Sequence, residues 1–221
     1  MKSVLGTILS IVVLLAVFGI KGYYSQQRQM RYKTMMGHDT KISETSKNVN
    51  EYINSTCDYR TKNENKAHGL DITISYPCVW QIIDNDMPNM VKLFTEQNEG
   101  GAMLAISLSV RQVGNIASEE QIKEAVQPQK LKELGESVGE YISGERMKVN
   151  GIDGLEVVVK NKNKIDNGYV YTYKVCDQLF YARYVIDITY TVGSIDFNKA
   201  TEKFKEKRGV FKELLGRTKF N

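Results

Sequence analysis

Residues 138–160 read VGEYISGERMKVNGIDGLEVVVK and predict two strands joined by a tight turn. Asn150-Gly151, at the centre, is the strongest short hairpin signal because both turn positions need a positive φ. The flanking strands are predicted at Val138–Val149 and Ile152–Lys160. The inward row of the second strand consists of Leu155, Val157 and Val159.

Strand patterns continue on both sides of this hairpin. From Leu70 to Tyr76, and again from Ala102 to Arg111, apolar and polar residues alternate with the period of a half-buried strand. Phe180–Val192 is the most regular of all, with its apolar or aromatic residues at the even positions. Shorter or weaker strands are predicted at Val79–Ile83, Met90–Thr95 and Tyr169–Val175, the last of them after a turn at Asp166-Asn167-Gly168.

Two helical regions accompany the strands. Ser118 and Gln121 fit a capping box at the start of the first region. Pro128 predicts a kink or a restart within it, and Gly135 predicts its end. The second region extends from an N-cap at Asp196 to about Leu215.

This order of elements predicts the α+β class. Short connections favour an antiparallel sheet, and helices packed on the sheet would cover its apolar surface. At 221 residues the chain is long enough to bury one sizeable core.

The charge of the chain is unevenly distributed. The formal net charge is only +4, which does not by itself imply a nucleic-acid partner, and we expect none. Up to Gly69 there are ten basic and five acidic residues, whereas from Leu70 onward there are 20 and 21. The basic excess therefore lies in the first third, outside the predicted strands.

The N-terminal segment predicts contact with a lipid bilayer. Val4–Ile20 is uncharged for 17 residues and lies between Lys2 and Lys21. As a helix it would span roughly 26 Å, close to the hydrocarbon core of a membrane. We interpret residues 1–24 as an uncleaved single-pass anchor; a cleaved signal segment is the alternative, with only the poor site Val17-Phe18-Gly19 nearby.

The orientation of this anchor is open from sequence. More basic residues follow the apolar segment than precede it, which favours a cytoplasmic domain. A short basic start followed by an apolar segment is instead typical of export signals. We favour a domain on the exported side, periplasmic or extracellular. Residues 25–69 are polar and are predicted to be a linker.

The region from residue 70 to residue 221 resembles the PsbP-like superfamily. The matching pieces are the opening Ile72–Trp80 with its Tyr-Pro and Trp, the Val149–Ile152 hairpin, the strand that ends at Ile188–Thr191, and a last helix that begins at Asp196-Phe197 and closes near Thr218–Phe220. This resemblance implies an α/β/α sandwich and, for most members, binding or assembly without catalysis. It identifies no partner.

Residues that could carry chemistry are few. His38, Asp39, Cys57 and His68 have no known zinc-ligand spacing, so we expect no metal site, and no motif indicates a cofactor. A Cys78–His68 nucleophile pair would need a fixed imidazole, which nothing in the sequence supplies. If the domain is exported, one cysteine pair can close, and Cys78 with Cys176 is the candidate pair because both lie in the predicted domain; in the cytoplasm all three would be thiols.

Tyrosines supply the remaining candidate site. Tyr169, Tyr171 and Tyr173 share one strand face and form a candidate binding patch; the alternative is a sheet face covered by a helix. The sequence thus predicts a membrane-anchored, non-enzymatic binding or assembly module of the cell envelope, with a protein partner. A secreted domain and a thiol-dependent enzyme that uses Cys78 are the alternatives.

Overall fold

The computed structural model describes residues 55–99, 101–115, 118–165 and 168–221. The predicted anchor, most of the predicted linker, Gly100 and the Asp166-Asn167 part of the predicted turn lie outside these ranges. The strands are β1 (Thr56–Arg60), β2 (Ile72–Pro77), β3 (Gln81–Ile83), β4 (Met90–Glu99), β5 (Ala102–Gln112), β6 (Glu140–Val149), β7 (Ile152–Ile165), β8 (Gly168–Tyr181), β9 (Tyr184–Ser194) and β10 (Lys219–Phe220). The α-helices are α1 (Glu119–Ala125), α2 (Pro128–Val138) and α3 (Phe197–Gly216), and Asn65–Ala67 forms a short 3₁₀ turn.

Seven strands form one antiparallel sheet in the order β3-β4-β5-β9-β8-β7-β6. Except for the step from β5 to β9, neighbours in the sheet are also neighbours along the chain, as short connections predict. Helices pack on both faces, α3 against β8 and β9 and α2 against β6 and β7. The α+β class and the antiparallel sheet are therefore confirmed.

The two faces of the sheet carry separate apolar clusters. On β7, Val158 belongs to the main core beneath α3, which includes Phe211 and Leu214 of that helix. Val157 and Val159 belong to a second cluster with Leu131 of α2. Because successive residues of a strand point to opposite faces, β7 is buried on both sides, and helices lie on both faces as in an α/β/α sandwich.

A second sheet, in the order β1-β2-β10, corrects the predicted domain boundary. Residues 25–69 were predicted to be linker, but β1 pairs with β2 over five residues and Tyr59 packs against the main core. Ala67 and Leu70 are buried in the same core. The predicted linker is therefore wrong from Thr56 onward, because the few apolar residues in this polar stretch meet a surface that lies far away along the chain.

One predicted hairpin turn is confirmed, and a second turn divides a segment that was predicted to be a single strand. Asn150 and Gly151 have φ values of 50° and 85°, as the predicted hairpin requires. Phe180–Val192, predicted as one strand, is instead the junction of β8 and β9, with Ala182 at φ 48° in the turn. Phe180 is consequently in the cluster beneath α2, whereas Ile186 is in the core beneath α3.

Helix starts follow the sequence more closely than helix ends. Ser118 and Gln121 form the predicted capping box, and the Asp196 carboxylate accepts from two backbone N–H groups at the start of α3. Pro128 begins α2 as its first residue. The predicted end at Gly135 is wrong, since α2 continues to Val138; this glycine instead leaves room for Tyr141, whose ring lies where a Cβ would be. Among the described helices, none combines the length and apolarity needed to cross a bilayer.

Candidate binding surface

Strands β7 and β8 place three lysines directly opposite the three tyrosines of the predicted patch. The paired residues are Lys160 with Tyr173, Lys162 with Tyr171, and Lys164 with Tyr169. Residues directly opposite each other in an antiparallel pair share a face, so these six side chains form one row on the α3 side of the sheet.

Tyr173 belongs to the interior end of this row. It is 8% exposed, its ring stacks on Phe204 of α3 at a centroid distance of 4.8 Å, and its hydroxyl is 2.9 Å from that of Thr201. Tyr173 therefore joins helix to sheet and is not available to a partner. At Tyr173 the sheet face is covered by α3, which was the alternative to a binding patch.

Tyr169 is exposed and Tyr171 is half-buried. Tyr169 is 43% exposed, and the ammonium nitrogen of Lys162 lies 4.0 Å from its ring centroid and 5.7 Å from that of Tyr171. Phe197, at the first turn of α3, meets Tyr171 edge to face at 5.4 Å and remains 47% exposed. We name Lys162, Lys164, Tyr169, Tyr171 and Phe197 the arm surface.

The arm surface lies at a projecting end of the sheet. The neighbour on one side, β6, pairs with β7 only as far as Lys160, and the neighbour on the other, β9, pairs with β8 only as far as Tyr171. Residues 163–165 and 168–170 therefore pair only with each other in the described sheet. This two-stranded arm carries Lys164 and Tyr169 beyond the seven-stranded body, and Lys162 and Tyr171 lie at its base.

Sequence reasoning missed Phe197. It lies directly after the N-cap Asp196, ahead of the buried stripe of α3, which begins at Ala200. Ile195, just before the cap, is 61% exposed. Two apolar residues that flank a helix cap outside its buried stripe were the available signal.

The cysteine pairing differs from the predicted one. Cys57 of β1 is bonded to Cys78, with a Cα–Cα distance of 4.9 Å, and Cys176 is a free thiol within β8. The predicted Cys78–Cys176 pair is thus wrong. Pairing of β1 with β2 places Cys57 opposite Tyr76, two residues before Cys78, whereas Cys176 belongs to the other sheet.

The remaining sequence candidates do not assemble into a reactive site. Burial raises the pKa of the Cys176 thiol to about 11, so this thiol stays protonated near neutral pH. His68 is exposed in a left-handed turn, where its carbonyl accepts from the Tyr184 hydroxyl. His38 and Asp39 lie outside the described residues, and the Cys57 sulfur is already bonded to Cys78. No three His, Cys, Asp or Glu side chains of the described ranges are grouped so as to hold a metal ion.

Beneath α3 the same β7–β8 row carries two buried carboxyl groups. Glu156 and Asp177 are cross-strand partners that are 8% and 1% exposed, and Arg208 of α3 donates to Glu156. Burial, and then the neighbouring Glu156 charge, raise the pKa of Asp177 well above its ordinary value. The Lys207 ammonium, also buried, lies 2.9 Å from Glu206.

A polar cleft of about 500 Å³ lies where β1, β2 and the β6–β7 hairpin meet the end of α3. Its groups mostly bond to one another: Ser75 donates to Asp58, Lys219 lies 3.7 Å from Asp58, and Arg217 donates to Thr56. These bonds explain the cohesion of the small sheet with the helix end.

Comparison with known proteins finds only solved structures of low sequence identity. The sequence matches no protein-family model and no curated protein. The solved structures that resemble it include the PsbP protein of Synechocystis sp. PCC 6803 (CyanoP), at 11% identity and a TM-score of 0.49, covering 76% of this chain and 93% of that one. They also include LpqN of Mycobacterium tuberculosis, a protein involved in cell envelope biogenesis, at 11% identity and a TM-score of 0.44, covering 79% and 98%. Both TM-scores are below 0.5, and neither match assigns a partner to this chain.

Proposed function

We propose that this chain is a membrane-anchored binding or assembly module of the cell envelope, with its folded domain on the exported side. The apolar segment Val4–Ile20 would hold the chain in the bilayer, and the arm surface would make the binding contact. Chemistry on a substrate is not part of this proposal.

The disulfide between Cys57 and Cys78 is the observation that carries the proposal. Disulfides form and persist in oxidising compartments and are rare in the cytosol. This one joins an edge strand of the small sheet to the segment after β2, so it closes the fold near the point where the chain from the N-terminal segment enters it. An exported domain accounts for both the bond and the apolar segment.

The same bond weakens the thiol-enzyme alternative. A nucleophilic cysteine acts as a thiolate, and the Cys78 sulfur in a disulfide is not one. Cys176 does not replace it, because burial raises its pKa to about 11.

Exposed aromatic side chains support the binding role. Tyr169 and Phe197 keep nearly half of their surface in solvent, although burying aromatic area is strongly favourable. Aromatic residues are enriched at the centres of interfaces. A surface that leaves this area exposed, beside lysines, is suited to a partner with apolar and anionic groups.

Thiol labelling in cells tests the side of the membrane. In the Cys57→Ser variant of the full chain, Cys78 becomes an exposed thiol, whereas Cys176 is half-buried and its raised pKa of about 11 keeps it protonated and slow to react. We expect a membrane-impermeant maleimide to label this variant in intact spheroplasts, and the matched Cys57→Ser/Cys78→Ser variant to stay unlabelled. Labelling of Cys78 only after lysis would contradict an exported domain.

Fractionation separates the anchored form from the secreted alternative. We expect the full-length chain to stay in the membrane fraction after a carbonate wash. A shortened chain in the medium or the soluble exported fraction would instead show that the N-terminal segment is removed.

A further inference from the structure

We propose that the arm surface docks onto the anionic lipid headgroups of the membrane to which the chain is tethered. This inference rests on the proposed membrane anchoring and names the partner of the same surface. The occupant is the lipid surface itself; an acidic protein is the competing outcome of the test.

The apolar groups of the surface suit a membrane interface. Tyr169 and Tyr171 combine an aromatic body with a polar tip, the property that concentrates tyrosine at the headgroup level. Phe197 and the adjacent Ile195, which are 47% and 61% exposed, can bury their side chains at the boundary with the acyl chains. Together they supply a small apolar footprint around polar groups.

The charge of the surface is cationic. Lys162 and Lys164 are exposed, and neither makes an ion pair with another described residue. By contrast Lys160, the next lysine of the row, is paired with Glu140 at 2.8 Å. Asp196, the acidic neighbour at the start of α3, uses one carboxylate oxygen to accept from the N–H groups of Asn198 and Lys199. Within the described residues these two lysines have no carboxylate partner, and the Lys162 ammonium lies over the Tyr169 ring, so an anionic lipid surface would attract both charges beside the aromatic groups.

The shape of the surface fits a flat partner. The arm formed by residues 163–165 and 168–170 extends past both neighbouring strands, so Lys164 and Tyr169 stand beyond the paired edge of the sheet. A bilayer can meet such an end without a matching cavity.

Because the chain is tethered, even a weak lipid contact is sufficient to dock the domain on the membrane. Residues 21–54 follow the apolar segment and can span at most about 110 Å, enough for the domain to turn its arm toward the bilayer. A tether converts docking into an intramolecular step with a high effective concentration. Two lysines and a few aromatic rings would be too weak to recruit a free protein, but they can orient one that is already anchored.

Depth-dependent fluorescence quenching of the full chain in vesicles tests this docking. The Phe197→Trp variant places a tryptophan on the arm surface. The matched control is Gln112→Trp. Gln112 ends β5 opposite Tyr184, about 30 Å along the strand from Met103, which lies opposite Gly193 at the arm end of the sheet. The native Trp80 is buried and contributes the same background to both variants. The vesicles contain brominated phosphatidylcholine, either alone or mixed with phosphatidylglycerol, and the two leaflets are identical so that either orientation is informative.

In the phosphatidylglycerol vesicles we expect Phe197→Trp to be quenched and Gln112→Trp to be unaffected. Adding Lys162→Gln and Lys164→Gln should lower the ratio of docked to undocked chains roughly thirtyfold, and so should remove most of the quenching. High salt should also reduce the quenching of Phe197→Trp, because it screens the attraction between the lysines and the anionic lipids.

The contrary outcomes are distinct. A chain that floats with the vesicles while Phe197→Trp is quenched no more than Gln112→Trp, or equally without phosphatidylglycerol, overturns the docking alone and leaves an acidic protein as the partner of the surface. A chain that does not float with vesicles at all overturns the anchoring and the docking together.

Discussion

Glu156 and Asp177 face each other across β7 and β8, and both carboxyl groups are buried beneath α3. Arg208 is bonded to Glu156, and its positive charge offsets part of the rise in the pKa of Asp177. Burial is the main cause of the raised pKa of Asp177, and the charge of Glu156 adds to it. Asp177 therefore retains its proton at pH values where exposed aspartates have lost theirs.

Replacing this acid should change how stability depends on pH. Because the pKa of Asp177 is higher in the folded state, its stabilising contribution is complete below the ordinary value of 3.8 and is lost as the pH rises through the raised pKa. We expect Asp177→Asn to be more stable than the wild type at pH 8 and to lose this advantage as the pH falls toward 4. Urea unfolding of the full chain in detergent, followed through Trp80 fluorescence, measures both profiles.

Asp153→Asn is the control with the opposite sign. A hydrogen bond from Arg146 lowers the pKa of Asp153, so its contribution is present above the unfolded pKa and disappears at low pH. This variant should be less stable than the wild type near neutral pH. Parallel pH profiles for wild type and Asp177→Asn would show that Asp177 is ionised in the folded protein.

Breaking the disulfide should weaken the fold without reshaping the large sheet. The bond closes a loop with a sequence separation of 21 residues, so Cys57→Ser should lower the free energy of unfolding by about 3 kcal/mol. Urea unfolding with and without a reductant provides the measurement. Reduced wild type should match Cys57→Ser, and the variant itself should not respond to reductant; an unchanged wild type under reduction would mean that the bond contributes nothing to stability.

Two phenylalanines of α3 should contribute very differently to the free energy of unfolding. Phe211 is 1% exposed and stacks on Tyr190 at 4.8 Å, so Phe211→Ala should cost about 4 kcal/mol of unfolding free energy. Phe197 is half exposed, and Phe197→Ala should cost about 0.5 kcal/mol through its contact with Tyr171. A large loss of stability in Phe197→Ala would assign this residue to the core instead of the arm surface.

Two helical glycines should respond to alanine in opposite directions. A Cβ at Gly135 would lie 2.4 Å from the Tyr141 ring and 3.0 Å from Val157, so Gly135→Ala should destabilise by about 2 kcal/mol despite the better helix propensity of alanine. Apart from the backbone of its own helix, no atom lies within 4 Å of a Cβ placed at Gly209, and Gly209→Ala should stabilise by about 1 kcal/mol. Thermal unfolding of both variants measures these changes in stability. If both variants were stabilised equally, helix propensity alone would determine the effect of alanine at these positions.

The candidate site was predictable only in part. The alternation from Tyr169 to Tyr173 placed the three tyrosines on one face correctly, because the strand period is local. Which of them stays exposed depends on where α3 crosses the sheet, and that position removes Tyr173 and adds Phe197. The lysines of the arm surface depend on the register between β7 and β8, which their own sequences do not reveal.

The amino-acid sequence by itself determined the features that neighbouring residues decide. These are the alternation of the strands, the positive φ values at Asn150-Gly151 and the caps at Ser118 and Asp196, since each depends on interactions within a few residues. Tertiary structure alone decided that Cys57 bonds to Cys78, that Asp177 is buried beside Glu156 and that β1 belongs to the domain. Each of these outcomes needs segments that are distant in the chain to meet, and only the packed fold sets which of them do.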